Sequence, residues 1–205
     1  MTHPLIELAN DRDVRQAAGF CKAAAALTGE ELAALFEQEV ANAPRLHDAG
    51  RRYFVKRSGK PAAERRRTKD GEHLGAALIR HCRTPEVNLL DLSGSEERLE
   101  LLDYHVRVKT GSVDDPATNG IGRIDLIGLV DDRQCVVKLR FLEPTATRCG
   151  VGDTPLRALL EGLTYSAIAA SNRSALDQEI SSRFERSVGD APPLLLMLAS
   201  PRYWE

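Results

Sequence analysis

The chain has 205 residues, of which 42% are hydrophobic and 28% charged, and its 28 Lys and Arg against 30 Asp and Glu leave a formal net charge of −2. That composition is ordinary for a soluble globular protein and can bury the core of one substantial domain, or of one domain with an appended piece. It offers no apolar run of about 18 residues, and MTHPLIELANDRD lacks the basic-then-apolar order of a secretory leader, so neither a membrane span nor export is expected and the cytoplasm is the expected compartment.

Asp11 to Leu27 is Ala-rich and reads as a helix. Thr28-Gly29-Glu30-Glu31 then supplies an N-cap with a capping-box Glu for a second helix, along which Leu32, Leu35, Phe36 and Val40 recur at helical spacing until Asn42-Ala43-Pro44 ends it. Residues 1–50 are therefore expected to form a helical hairpin that packs on the following domain or offers a face to a protein partner. From Arg51 to Lys69 the charge changes abruptly. Arg51, Arg52, Lys56, Arg57, Lys60, Arg65, Arg66, Arg67 and Lys69 face the single acid Glu64, giving this stretch +8 and the remainder −10. Such a strip is a footprint for DNA or RNA, because neutralising phosphates releases counterions; it is equally what a solvated basic connector would look like.

Pro61 to Cys82 reads as a helix with Leu74, Ala77, Leu78, His81 and Cys82 on one side and Glu72 near the margin with Gly75 and Ile79. Thr84 to Glu100 is expected as a loop, and Leu101 to Lys109 as a strand in which Tyr104, Val106 and Val108 point one way and Asp103, His105 and Arg107 the other. A polar stretch over 110–120 leads to GRIDLIGLVDDRQCVVKLRF, Gly122 to Phe141, which reads as a β-hairpin about the short turn Asp131-Asp132-Arg133. Asp153 or Thr154 as N-cap, with Pro155 at the first or second helical position, is a helix start signal. The helix it opens, Pro155 to about Ala170, carries Leu156, Leu159, Leu160, Leu163 and Ala167 on one face and Arg157, Glu161 and Tyr165 as a polar stripe on its flank. A more polar helix over Asn172 to Arg186, ended by Gly189, precedes Leu194 to Ala199, an apolar run suited to a buried strand.

Within the hairpin, alternation puts Arg123, Asp125 and Ile127 on one face of the first strand and Lys138 and Arg140 on one face of the second. An acid thus sits beside two bases on a face expected to be buried. The segment resembles the PD-(D/E)xK nuclease superfamily, whose members carry an Asp on one strand and a Glu/Asp-x-Lys triplet on the next. Asp125 matches the Asp, and Lys138-Leu139-Arg140 falls where Glu-x-Lys stands, with twelve residues between Asp125 and Lys138. Glu72 resembles in position the Glu that many members place on the first core helix. The resemblance spans roughly residues 61 to 200 and implies an α/β protein with a restriction-endonuclease-like core (helix, three-stranded antiparallel meander, helices, further strand) over 51–205, preceded by the helical hairpin.

The family's acids hold a divalent metal, and its Lys steadies the scissile phosphate. Here Lys138 brings a cation to the position of a metal-binding acid, and an ammonium repels Mg²⁺ and competes for the same carboxylate. Asp125 and Lys138 are therefore expected to pair in place of a metal. Three functions are expected as alternatives: a degenerate nuclease fold that binds nucleic acid through Arg123, Lys138, Arg140 and the basic strip, or a partner protein through the N-terminal helices; an active Mg²⁺- or Mn²⁺-dependent endonuclease rebuilt on Glu72, Asp125 and Glu161, with Lys138 or Arg140 at the phosphate; and, apart from the resemblance, a protein-interaction scaffold held by salt bridges. Zinc-hydrolase, phosphate-loop and nucleophile-elbow patterns are missing from the sequence. The four cysteines, Cys21, Cys82, Cys135 and Cys149, show no C-x-x-C spacing and are expected as free thiols.

Overall fold

The structure, a computed structural model, describes residues 3–55, 71–84, 87, 89–92, 94–109, 121–146 and 152–205. The protein is a mixed α/β fold in which helices cover both faces of a sheet of five described strands. Strands β1 (Leu90–Asp91), β2 (Arg98–Arg107), β3 (Arg123–Val130), β4 (Arg133–Arg140) and β5 (Leu194–Ala199) lie side by side in sequence order, antiparallel up to β4, with β5 parallel to β4. A parallel neighbour requires a crossover. Helices α6 (Pro155–Ser171) and α7 (Arg173–Phe184) supply it, and α6 packs on both β4 and β5.

The expected meander is present, with the hairpin turn shortened to Asp131-Asp132 because Val130 pairs with Arg133. Asp131 adopts φ 55, the left-handed conformation that a two-residue hairpin turn requires and that Asp tolerates. The expected loop over 84–100 is overturned in part: Leu90 pairs with Leu99 and Asp91 with Arg98, so β2 begins three residues earlier than its first run of alternation suggests. The face assignment within β2 is also corrected. Tyr104 packs with Leu99, Leu101 and Leu126, whereas Val106 and Val108 pack with Ile124 and Ile127 in the other half of the core. A bulge between Leu101 and Asp103, and His105 at φ 47, rotate the strand between those residues, and a strict period of two cannot anticipate either.

Helix α5 (Gly71–His81) covers one face of the sheet. It approaches closely because Gly75 has no side chain: a Cβ there would lie 3.4 Å from Tyr104 Cβ and 3.6 Å from Leu126 Cδ2. The other face belongs to α6 and α7, which pack on Ile127, Leu129 and Val136 through Tyr165, Ile168, Leu176 and Ile180. The N-terminal helices are more broken than their composition suggests. Asp11 to Leu27 is broken into α2 (Arg12–Arg15) and α3 (Phe20–Ala26), after α1 (Pro4–Ala9), and only α4 (Gly29–Asn42) keeps its expected bounds, with the Thr28–Glu31 capping box formed.

These N-terminal helices pack on α6: Leu5, Ala9 and Val14 join Leu156 and Leu160 in one cluster, with Leu32, Leu35 and Leu163 against it. The leucine face of α6 therefore meets helices rather than the sheet. The stripe expected on its flank, Arg157, Glu161 and Tyr165, is the part that turns toward the strands. Helix α7 stops at Glu185, which takes φ 57 as a left-handed cap, before the expected stop at Gly189. Strand β5 is corrected too: it forms the edge of the described sheet, and its residues are half-buried, with Leu198 36% exposed.

Candidate functional site

The register Leu126 with Val137 makes Asp125 and Lys138 the next opposed pair on β3 and β4, on the face that meets α6. The backbone ladder gives way there to a side chain: Asp125 Oδ2 accepts a hydrogen bond from the Leu139 N–H at 2.9 Å. The Lys138 ammonium lies 3.2 Å from the same oxygen and 2.9 Å from Glu161 Oε2. Lys138 is only 3% exposed, and its Nζ sits 5.0 Å from the centre of the Tyr165 ring, a cation–π contact that adds to the ion pairs.

Arg140 closes the cluster from the end of β4. Its guanidinium reaches Glu161 Oε2 through Nη2, Asp125 Oδ2 at 3.5 Å through Nη1, and Asp153 Oδ2 at 2.8 Å through Nε. Asp153 is available because Thr154 caps α6, accepting from the Arg157 N–H at 3.2 Å while donating to Val14 O at 2.6 Å. One turn along α6, Arg157 Nε lies 3.0 Å from Glu161 Oε1. Three carboxylates, Asp125, Asp153 and Glu161, thus face three cations, Lys138, Arg140 and Arg157, and the charges balance.

That balance fixes protonation. Burial alone would raise the Glu161 carboxyl, but the Lys138 ammonium and the Arg140 and Arg157 guanidiniums outweigh it and hold the group below its ordinary value. Burial works against the charge on Arg140, and the carboxylates of Asp153, Glu161 and Asp125 overcome it and raise its pKa. Tyr165 is pushed up by burial and by the nearby Glu161 charge, so it stays a phenol, accepting from the Gly122 N–H at 3.2 Å. Glu161 and Arg140 are locked in their charged forms and Tyr165 in its neutral form, which suits an electrostatic clasp between strand and helix better than proton transfer near neutrality.

A divalent ion in this position would need several oxygen ligands turned toward it. Glu161 directs one oxygen to Lys138 and Arg140 and the other to Arg157, and the Asp125 Oδ2 already serves Leu139, Lys138 and Arg140. This donor set does not fit a metal ion. Among the described residues no group of three or more His, Cys, Asp and Glu is placed to hold one.

Of the residues singled out in sequence, Asp125, Lys138, Arg140 and Glu161 come together. Arg123 is exposed at the start of β3, directly opposite Arg107 on β2. The backbone of Glu72 begins α5, on the opposite face of the sheet from Asp125, and its side chain lies outside the described residues. Arg51 and Arg52 are exposed, whereas Lys56, Arg57, Lys60, Arg65, Arg66, Arg67 and Lys69 lie outside the described residues. The net basic character expected around Asp125 is corrected by Asp153, Glu161 and Arg157: adding the helix to the strands brings the cluster to neutrality.

Two buried acids escaped sequence reasoning. Glu39, fully buried, accepts from the Leu5 N–H at 2.8 Å and lies 2.8 Å from His3 Nδ1, tying α4 to the start of α1. Its position seven residues after Leu32 and four after Leu35, on the apolar stripe, was the available signal. Glu179 on α7 accepts from the Tyr53 and Phe54 N–H groups at 3.0 Å each and lies 2.6 Å from His47 Nε2. Cys82 and Cys135 are buried free thiols and Cys21 an exposed one, while Cys149 lies outside the described residues. Compared with protein-family models, with curated proteins and with solved structures, the chain finds no match.

Proposed function

We propose that this chain is a degenerate domain of the PD-(D/E)xK nuclease type, with a restriction-endonuclease-like core, that binds nucleic acid without ordinary metal-dependent cleavage. The observation that carries the reading is the Lys138 ammonium between Asp125 and Glu161, 3.2 and 2.9 Å from their oxygens. In the resembled family a metal would lie between acids at this strand pair. Here a covalently attached cation performs the same neutralisation, so the scaffold keeps its shape with no metal to polarise a phosphate. A Mg²⁺ site rebuilt from Glu72, Asp125 and Glu161 would first have to expel that ammonium and two guanidiniums.

Nucleic acid is the favoured ligand because the segment from Arg51 to Lys69 concentrates +8 on a chain of net −2. A second reading, a protein-interaction scaffold, is favoured by β5, whose sequence LLLMLA is apolar throughout yet half-exposed at the edge of the described sheet. Labelled single- and double-stranded oligonucleotides separate the two. Binding that persists in EDTA, weakens steeply with salt and is accompanied by no cleavage in Mg²⁺ or Mn²⁺ is the expected result. Metal-dependent cleavage that Asp125→Ala abolishes would overturn it in favour of an endonuclease, and no affinity even at low salt would overturn it in favour of the scaffold.

A further inference from the structure

A second charged region lies away from the Lys138 cluster. Between the 46–55 segment, the end of β2 and the outer side of α7 is a cleft of about 950 Å³ into which Arg51, Arg52, Arg107 and Arg183 converge, with Phe54 and Val55 as its apolar edge. Among the described residues the one carboxylate in its lining is Glu179, and it is already engaged. Its Oε1 meets His47 Nε2 and the Tyr53 N–H, and its Oε2 accepts from the Phe54 N–H. Glu179 therefore fixes the 47–54 backbone to α7 rather than neutralising the arginines. Gly50, at φ 66, makes the turn that lets the chain double back, and the Arg51 N–H closes it on Leu46 O at 2.9 Å.

Those bonds hold the cleft's frame, and among the described residues its lining carries four guanidiniums to one carboxylate. Arg183 donates to Val55 O at 3.2 Å and approaches Asp103 at 3.8 Å, which spends one cation. Arg52 and Arg107 are exposed and form no ion pair within the described residues. Arg107 is moreover opposed in register by Arg123 across β2 and β3, an adjacency of like charges that disfavours the sheet unless something anionic relieves it. Guanidiniums on a pre-organised frame bind phosphate oxygens in paired hydrogen bonds, and the volume suits a few phosphate groups with their esters rather than a single small ion.

We infer that this cleft is a phosphate-binding site, gripping phosphate esters through Arg52 and Arg107 with Arg51 and Arg183 beside them. It deepens the nucleic-acid reading above by giving the strand a place to bind that is separate from the Asp125–Lys138 cluster. The same chemistry would accept a small phosphorylated molecule, so the test uses two probes.

A fluorescein-labelled oligothymidylate is titrated by anisotropy against the full chain in EDTA at several salt concentrations, and inorganic pyrophosphate is titrated by calorimetry and as a competitor. Arg52→Glu with Arg107→Glu should weaken oligothymidylate binding about tenfold or more and lower its salt slope by about 1.4, the single-strand value for two phosphate contacts. Both side chains are exposed, so circular dichroism should be unchanged, and Arg80→Glu on α5 serves as a charge control. Pyrophosphate should compete with the oligothymidylate and lose its own affinity in the double variant. If the double variant binds oligothymidylate like the wild type and pyrophosphate does not compete, the cleft inference falls while the nucleic-acid reading stands on other bases. If pyrophosphate binds the cleft and oligothymidylate does not bind at all, the cleft stands as a small-phosphate site and the nucleic-acid reading falls. If neither probe binds, both fall.

Discussion

Replacing Lys138 by Met keeps an unbranched side chain of similar size in a site only 3% exposed while deleting the charge that two acids share. Against an effective dielectric of about 20, the contacts of 3.2 Å to Asp125 and 2.9 Å to Glu161 are worth about 5 to 6 kcal/mol each before the cost of desolvating the ammonium. That cost removes most of the sum. What decides the outcome is the state left behind: the cluster goes from neutral to −1, with Asp125 and Glu161 facing each other across the vacated position. Removing one partner of a buried pair costs about 3 to 5 kcal/mol, and the Arg140 guanidinium, which still touches both acids, places this case near 3. A loss of that size is a large fraction of the stability of a domain.

Urea unfolding followed by circular dichroism at neutral pH reads the loss directly. The companion variants Asp125→Asn and Lys138→Met with Asp125→Asn complete a cycle, in which the double variant should be more stable than additivity allows by about 1 kcal/mol or more. A Lys138→Met protein within about 0.5 kcal/mol of wild type would behave like an ordinary surface variant and would refute the clasp, and with it the proposal that Lys138 stands in for a metal.

The Glu161 clasp also has a pH signature. Its carboxyl is held below the ordinary 4.5 in the folded protein, so the unfolded chain binds the proton first; the stabilisation is complete above about pH 4.5 and drains away as pH falls through the folded value. Glu161→Gln should be less stable at neutral pH and should show a flatter acid limb in unfolding midpoints, and an unchanged limb would remove Glu161 from the linkage. Gly128→Ala tests the bulge: a Cβ there would lie 2.3 Å from Glu100 O and 2.9 Å from Leu99 Cδ1, so the central strands must part and about 3 kcal/mol should be lost, read as a drop in thermal midpoint. A midpoint equal to wild type would mean that β2 and β3 are less closely opposed than this.

Local signals largely survived folding. Thr28 caps its helix as expected, Thr154 rather than Asp153 caps α6, and a polar turn at Asp131-Asp132 joins the two β-branched strands, one residue shorter than expected, in the register that brings Asp125 beside Lys138. Each of these depends on residues within a few positions of one another. The errors arose where distant segments meet. The apolar run at Leu194 looked like a strand covered on both sides, and the hydrophobicity of its side chains contains nothing about whether another strand will lie beyond it. Asp11 to Leu27 has helix-forming composition, but packing on α6 breaks it into shorter pieces, since burial outweighs differences in propensity of a few tenths of a kcal/mol per residue.

The sequence by itself determined that Asp125 shares a face of the first hairpin strand with Arg123 and Ile127, and Lys138 a face of the second with Arg140, because strand side chains alternate; the register that sets Asp125 against Lys138 came from the turn being one residue shorter than its sequence suggests. Only the tertiary structure decided what that group amounts to. Glu161, Asp153 and Arg157 arrive from the start of α6, and their charges turn a basic pair of strands into a neutral, closed network. Electrostatic character is a sum over neighbours in space, whereas alternation and capping are settled between neighbours along the chain. The same reason hid the arginine cleft, whose members come from positions 51, 52, 107 and 183 and meet only because Glu179 on α7 accepts from the Tyr53 and Phe54 backbone and so brings the 51–52 segment beside Arg183.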